Sequence, residues 1–121
     1  MCIQRLKDGR VATTSENTIR IYDPANDYQC AQVLERNKEK ITSLCQLDDG
    51  TIVSCEYGYT IVIGDYTIKK AHENLIRNVL ALPNNRIASC SNDNTIRYGR
   101  AMRLIATLLL KKLKEIQCPT Q

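Results

Sequence analysis

Asn-Arg-Ile-Ala-Ser-Cys-Ser-Asn-Asp-Asn-Thr-Ile-Arg-Tyr, residues 85–98, decides the fold. It reads as a tight turn, an apolar strand, a polar turn and a second strand that opens on Thr-Ile. The same phrase occurs twice earlier. Residues 9–22 are Gly-Arg-Val-Ala-Thr-Thr-Ser-Glu-Asn-Thr-Ile-Arg-Ile-Tyr, and residues 50–63 are Gly-Thr-Ile-Val-Ser-Cys-Glu-Tyr-Gly-Tyr-Thr-Ile-Val-Ile. Leu6, Leu47 and Leu82 align at offsets of 41 and 35, and Thr18, Thr60 and Thr95 at 42 and 35. Self-similarity at such a period marks a repeat architecture, in which each unit buries its apolar face against its neighbours.

Each copy has a physical logic. Asp8-Gly9, Asp49-Gly50 and Asn84-Asn85 each separate two apolar runs. Two-residue hairpin turns need positive φ at both central positions, which Gly, Asn and Asp tolerate best. The following runs, 11–13, 52–55 and 87–90, are short and rich in β-branched or small residues, as buried strands are. Ser15-Glu16-Asn17, Tyr57-Gly58-Tyr59 and Asn92-Asp93-Asn94 have turn compositions. Strands resume at Thr18, Thr60 and Thr95. One unit is therefore a three-strand meander, and a fourth strand fits the spacer after it.

With those residues in place, the chain resembles the WD-repeat family of β-propellers. The family phrase runs roughly Gly-His, strand, turn, strand, then Ser-x-Ser-x-Asp-x-Thr-Ile-(Arg/Lys)-x-Trp-Asp. Ala71-His72 occupies the Gly-His place, and Ser89-Cys90-Ser91-Asn92-Asp93-Asn94-Thr95-Ile96-Arg97 matches the core. Tyr22-Asp23 stands at Trp-Asp, with Gly64-Asp65 and Gly99-Arg100 in the same place. Trp is absent, Asn37 replaces one His, and Gly58 replaces one Asp. The resemblance covers residues 1–100 and implies an all-β fold of antiparallel four-stranded blades, a partial propeller of two to three units (about 1–40, 41–75 and 76–100). It further implies a structural polar network of His72, Asp93 and Ser89 or Ser91. The docking loops of one rim would be 36–40, 57–59, 70–74 and 92–94, carrying Arg36, Asn37, Lys38, Tyr57, Tyr59, His72, Asn74, Asn92 and Asn94. A non-enzymatic protein-interaction scaffold is the function it implies.

His72 is the only histidine. Beside Ser91 and Asp93 it forms, on paper, a Ser-His-Asp set, but the family network accounts for the same residues without catalysis. We expect no catalytic residue, no metal site and no cofactor. The cysteines at 2, 30, 45, 55, 90 and 118 contain no Cys-x-x-Cys pair, and no phosphate-binding glycine motif occurs. Cys55 and Cys90 fill equivalent strand positions as small hydrophobes. We expect all six to be reduced thiols of a cytoplasmic protein, with the nucleus as the other compartment compatible with them. No signal peptide and no run of 18 apolar residues stands in the sequence.

Charge is unevenly placed. The net charge is +4, yet residues 1–99 hold twelve Lys/Arg against twelve Asp/Glu. The surplus lies in residues 100–121, where Arg100, Arg103, Lys111, Lys112 and Lys114 face Glu115 alone. A balanced repeat region carries no footprint for nucleic acid. Met102, Ile105, Leu109, Leu113 and Ile116 form one apolar stripe, which predicts an amphipathic helix over 101–116 within a basic tail, 101–121. A fourth strand at 103–108 is the competing reading. The tail offers an alternative function, attachment to an anionic membrane or acidic partner. Too few units to close a ring predicts self-association through open blade edges.

Overall fold

The computed structural model describes residues 1–35 and 37–100, together with the backbone of 114–117. Among the described residues, twelve strands form three four-stranded antiparallel sheets. The first contains β1 (Ile3–Arg5), β2 (Val11–Ser15), β3 (Thr18–Asp23) and β4 (Gln29–Leu34). The second contains β5 (Ile41–Gln46), β6 (Ile52–Glu56), β7 (Ile61–Ile63) and β8 (Tyr66–Ile68). The third contains β9 (Ile76–Leu82), β10 (Arg86–Ser91), β11 (Thr95–Arg100) and β12 (Lys114–Gln117). Each sheet keeps its strands in chain order, so each unit is a meander.

The three hairpin turns are not alike. Leu6 pairs with Arg10 (N–H to carbonyl, 2.8 Å), leaving Lys7, Asp8 and Gly9 as a three-residue loop in which only Gly9 has positive φ, at 92°. Leu47 and Thr51 repeat this at 2.8 Å, with Gly50 at 92°. This replaces the two-residue turn expected there. A three-residue loop needs one left-handed residue, and Gly takes it without steric cost. At the third turn both Asn84 (65°) and Asn85 (55°) are left-handed.

The sheets pack face to face, and alternation along the strands sorts the core. Ala12, Ile19 and Ile21 of the first sheet meet Ile41, Leu44 and Ile52 of the second. On its other face the second sheet sets Cys45, Val53, Cys55, Ile61 and Ile63 against Ile76, Val79 and Ile87 of the third. The middle sheet is thus covered on both sides, and every residue of β6 and β7 is buried. Each fully buried aliphatic side chain stabilises by roughly 1.5–3 kcal/mol. Burial pushes the Cys45 thiol up to about 12 and raises that of Cys55, as in small core hydrophobes.

The tail expectation needs correction at one end. Lys114–Gln117 is a strand, paired antiparallel to β11 through Thr95–Gln117 and Tyr98–Lys114. Without it the backbone groups along one side of β11 would lack sheet partners, and that demand overrides the helical periodicity of 114–116. The remaining part of the expected helix, 101–113, lies outside the described residues.

Candidate functional site

Three loops meet above the gap between the second and third sheets. The backbone zips them together: Ala71 N–H donates to Tyr59 carbonyl at 2.8 Å, Ile76 to Gly58 at 3.0 Å, and Asn92 to Leu75 at 2.9 Å. The neighbouring gap is closed the same way, Tyr57 donating to Lys40 at 2.6 Å and Ile41 to Glu16 at 2.8 Å. Turns 15–18, 57–60 and 92–94 and the loops 35–40 and 69–75 therefore share one rim. The three hairpin turns form the opposite rim, joined by Lys7 Nζ to Asp48 Oδ1 (3.2 Å) and Asn84 N–H to Asp48 Oδ2 (3.0 Å). Those two donors hold the Asp48 carboxyl below its ordinary range.

Under the first rim lies a closed polar network. His72 is fully buried, with Nδ1 3.0 Å from Asp93 Oδ2 and Nε2 2.8 Å from Ser89 Oγ. In the neutral ring Nδ1–H donates to Asp93, and Nε2 accepts from the Ser89 hydroxyl. Asp93 also accepts from Glu73 N–H (3.0 Å), Thr95 N–H (2.9 Å) and the Thr95 hydroxyl. Burial alone would raise the Asp93 carboxyl; the hydrogen bonds from Thr95, Glu73 and His72 outweigh it and hold it well below the usual carboxylate range. Ser91 stands apart from the ring. Its Oγ donates to Asn74 carbonyl at 3.0 Å and accepts Asp93 N–H at 3.1 Å, shaping the turn. Of the two serines, Ser89 is the one that touches His72. Thr95 is a member that the sequence reading missed, although the Thr18–Thr60–Thr95 alignment pointed at the position.

A second network occupies the equivalent slot one unit earlier. Asn37 Nδ2 donates to Ser54 Oγ (3.0 Å) and to Glu56 Oε1 (3.1 Å), which also accepts Lys38 N–H at 3.0 Å. Ser54 and Glu56 are buried. Glu56 was not foreseen, because the carboxylate was sought at Gly58.

Burial sorts the expected docking residues. Asn37 and His72 are 4% and 0% exposed, so neither faces a partner. Their loops close over the sheet gap and turn the polar side chain inward to satisfy strand groups. Lys38, Asn74, Asn92 and Asn94 are exposed, as are Tyr57 (62%) and Tyr59 (46%). Arg36 lies outside the described residues. No group of His, Cys, Asp or Glu among the described residues could hold a metal ion. No described helix is long and apolar enough to cross a membrane.

The sequence model of the WD domain, G-beta repeat, matches residues 65–98, the span that holds the His72 network. Residues 65–98 thus carry one WD repeat. Its fold is similar to the β-propeller domain of Cps50 (Swd1) from Myceliophteria thermophila, with a TM-score of 0.72 at 14% identity. That match covers 98% of this chain and 39% of the other, so the chain spans about two-fifths of the matched propeller. No curated protein sequence matches it. WD-repeat propellers generally act as non-catalytic scaffolds for protein–protein interaction, and the buried His72 set has the geometry of a closed hydrogen-bond network.

Proposed function

We propose that this chain is a protein-interaction module, without catalysis of its own, whose docking surface is the rim carrying Tyr57, Tyr59, Asn74 and Asn92. The observation that supports this most is the exposure of Tyr57 and Tyr59 on either side of Gly58. Their backbones are fixed by bonds to Lys40 and Ala71. Exposed tyrosines on a rigid loop offer large contact area at low entropic cost, as interface anchors do. We place the chain in the cytoplasm, a proposal supported by cysteines held as free thiols among the described residues.

Photo-crosslinking tests the rim. A photoreactive residue replacing Tyr59 should give discrete protein adducts in cells, and one replacing Asp49 on the opposite rim should not. Tyr57→Ala should remove the Tyr59-dependent adducts while the folded fraction is unchanged. Equal adducts from both rims would end the proposal.

The charge surplus in residues 100–121 favours a second reading, electrostatic attachment through the tail. Tail-driven binding to anionic vesicles should collapse as salt rises. Rim-driven adducts should persist.

A further inference from the structure

The gap between the first and second sheets holds more hydrogen-bond acceptors than donors. Ser54 and Glu56 lie two residues apart on β6 and share a face with Ile52, which packs against the first sheet. Glu56 is 5% exposed. Asn37 Nδ2 and the Lys38 N–H both donate to its Oε1. Among the described residues nothing donates to Oε2, and no cation pairs with the carboxylate. Asn37 Oδ1 is also buried there without a partner among them. The gap between the second and third sheets is different. Both oxygens of Asp93 accept, Oδ1 from Thr95 and Oδ2 from His72 and Glu73. A buried carboxylate is costly without a counter-charge.

Glu56 lines a cavity of about 310 Å³ together with Lys38, Glu39, Thr60, Thr67 and Lys69. Strand pairing assembles it. The Glu56 N–H donates to the Thr60 carbonyl at 3.0 Å, and the Thr60 hydroxyl to the Lys69 carbonyl at 3.3 Å. Glu56, Thr60 and Lys69 thus form one row at the ends of β6, β7 and β8. Thr67 stands in the next row, opposite Val62. The volume is several times the roughly 30 Å³ that one water occupies in the liquid. Lys38, Glu39 and Lys69 are exposed, so charge of both signs surrounds the opening.

We propose that this cavity takes an arginine or lysine side chain of a protein docked on the rim, its cationic head donating to Glu56 Oε2. The inference rests on the reading of this rim as a docking surface and deepens it, since Thr60 of the cavity directly follows Tyr59. A cationic head supplies the donor and the positive charge that the gap lacks, and charge-assisted bonds to a carboxylate are the strong ones. An anionic group would instead meet the uncompensated Glu56 carboxylate. Lys38 and Lys69 match acidic residues beside the basic one in the partner.

Amide NMR titration of the full chain tests this with two capped peptides, Glu-Arg-Glu and Glu-citrulline-Glu. Citrulline keeps the length and N–H donors of arginine without its charge. The arginine peptide should shift the amide signals of Lys38 and Thr60 and bind at least about tenfold more tightly than the citrulline peptide. Glu56→Gln keeps an oxygen for Asn37 and Lys38 and should erase that difference. Lys69→Ala, at an exposed position, answers even where Glu56→Gln does not fold. It should weaken the Glu-Arg-Glu peptide several-fold and leave a Gly-Arg-Gly peptide unaffected. Equal binding of the arginine and citrulline peptides by the natural chain overturns the proposal, as does binding of neither. So does an arginine preference that Glu56→Gln retains, or binding that appears only once Arg36, Lys38 or Lys69 is replaced by Ala, for then the chain fills the cavity itself. The Tyr59 adducts separate the two readings. Adducts that persist where neither peptide binds remove the pocket and leave the docking rim standing.

Discussion

The two polar networks occupy one slot of the repeat and are built from different chemistry. In the later unit His72 bridges Ser89 and the turn residue Asp93. In the earlier unit Asn37 bridges Ser54 and the strand residue Glu56. Asn37 and His72 lie 35 residues apart, as do Ser54 and Ser89, but Glu56 aligns with Ser91 rather than with Asp93. The slot therefore conserves a task rather than a residue. A loop crossing above two sheets must satisfy buried strand groups, and any side chain that reaches a serine and a carboxylate can do so. The carboxylate moves to wherever the loop side chain ends, two residues earlier for the shorter asparagine.

The networks differ in completeness, and this sets the largest expected effect. Both ring nitrogens of His72 are bonded, and its removal takes one partner from each of Asp93, Ser89 and Thr95. Asn37 uses only its Nδ2, and its Oδ1 has no hydrogen-bond partner among the described residues. A buried polar group deprived of its partner costs about 1–3 kcal/mol, and a charged one more. We expect His72→Ala to lower stability in urea titration by about 3 kcal/mol, and Asn37→Ala by about 1 kcal/mol. No activity should disappear with either. Equal losses would mean that the two networks are equivalent after all.

Acid separates them next. The Asp93 carboxyl sits below its ordinary value of 3.8 in the folded chain. Its contribution is therefore complete above pH 3.8 and is lost as pH falls from there toward the lowered folded value. Thermal melts taken from pH 5 down to pH 2, a span of about three units that enters that transition from above, should show a falling midpoint. Asp93→Asn should flatten this fall, at a cost of about 2 kcal/mol at neutral pH. An unchanged acid slope in Asp93→Asn would show that the carboxylate is not the group that titrates.

Much of this arrangement was legible in the sequence. The threefold phrase fixed the order of meanders, and the serine of the slot was narrowed to two candidates two residues apart on one strand. Only register separates Ser89, opposite Arg97, from Ser91 at the strand end. Glu56 escaped notice because the family pattern puts the acid in the turn. The tail misled for a different reason. Spacing of apolar residues reports a local preference, whereas Lys114–Gln117 answers the unpaired edge of β11, a partner invisible to local periodicity. The loops expected on one rim are loops there, but loop membership does not say which side chain turns inward, and Asn37 and His72 do.

The smallest expected effect asks whether the earlier unit can be converted to the later one. On paper Asn37→His with Gly58→Asp restores both missing residues. The backbone argues against it. Gly58 sits at φ 123°, whereas in the third unit the left-handed residue is Asn94 at 67°, one place after Asp93. Glu16, the equivalent in the first unit, is also left-handed, at 55°. The first two units thus put their left-handed residue where the third puts its acid. An aspartate at 58 would have to adopt a strained φ and would start from a different direction than Asp93 does. We expect Gly58→Asp to cost about 1 kcal/mol. The double variant should show coupling below about 0.5 kcal/mol, the level of independent sites. Coupling well above that in a double-mutant cycle would mean that the turn relaxes into the third unit's geometry, and that the two networks differ in side chains alone.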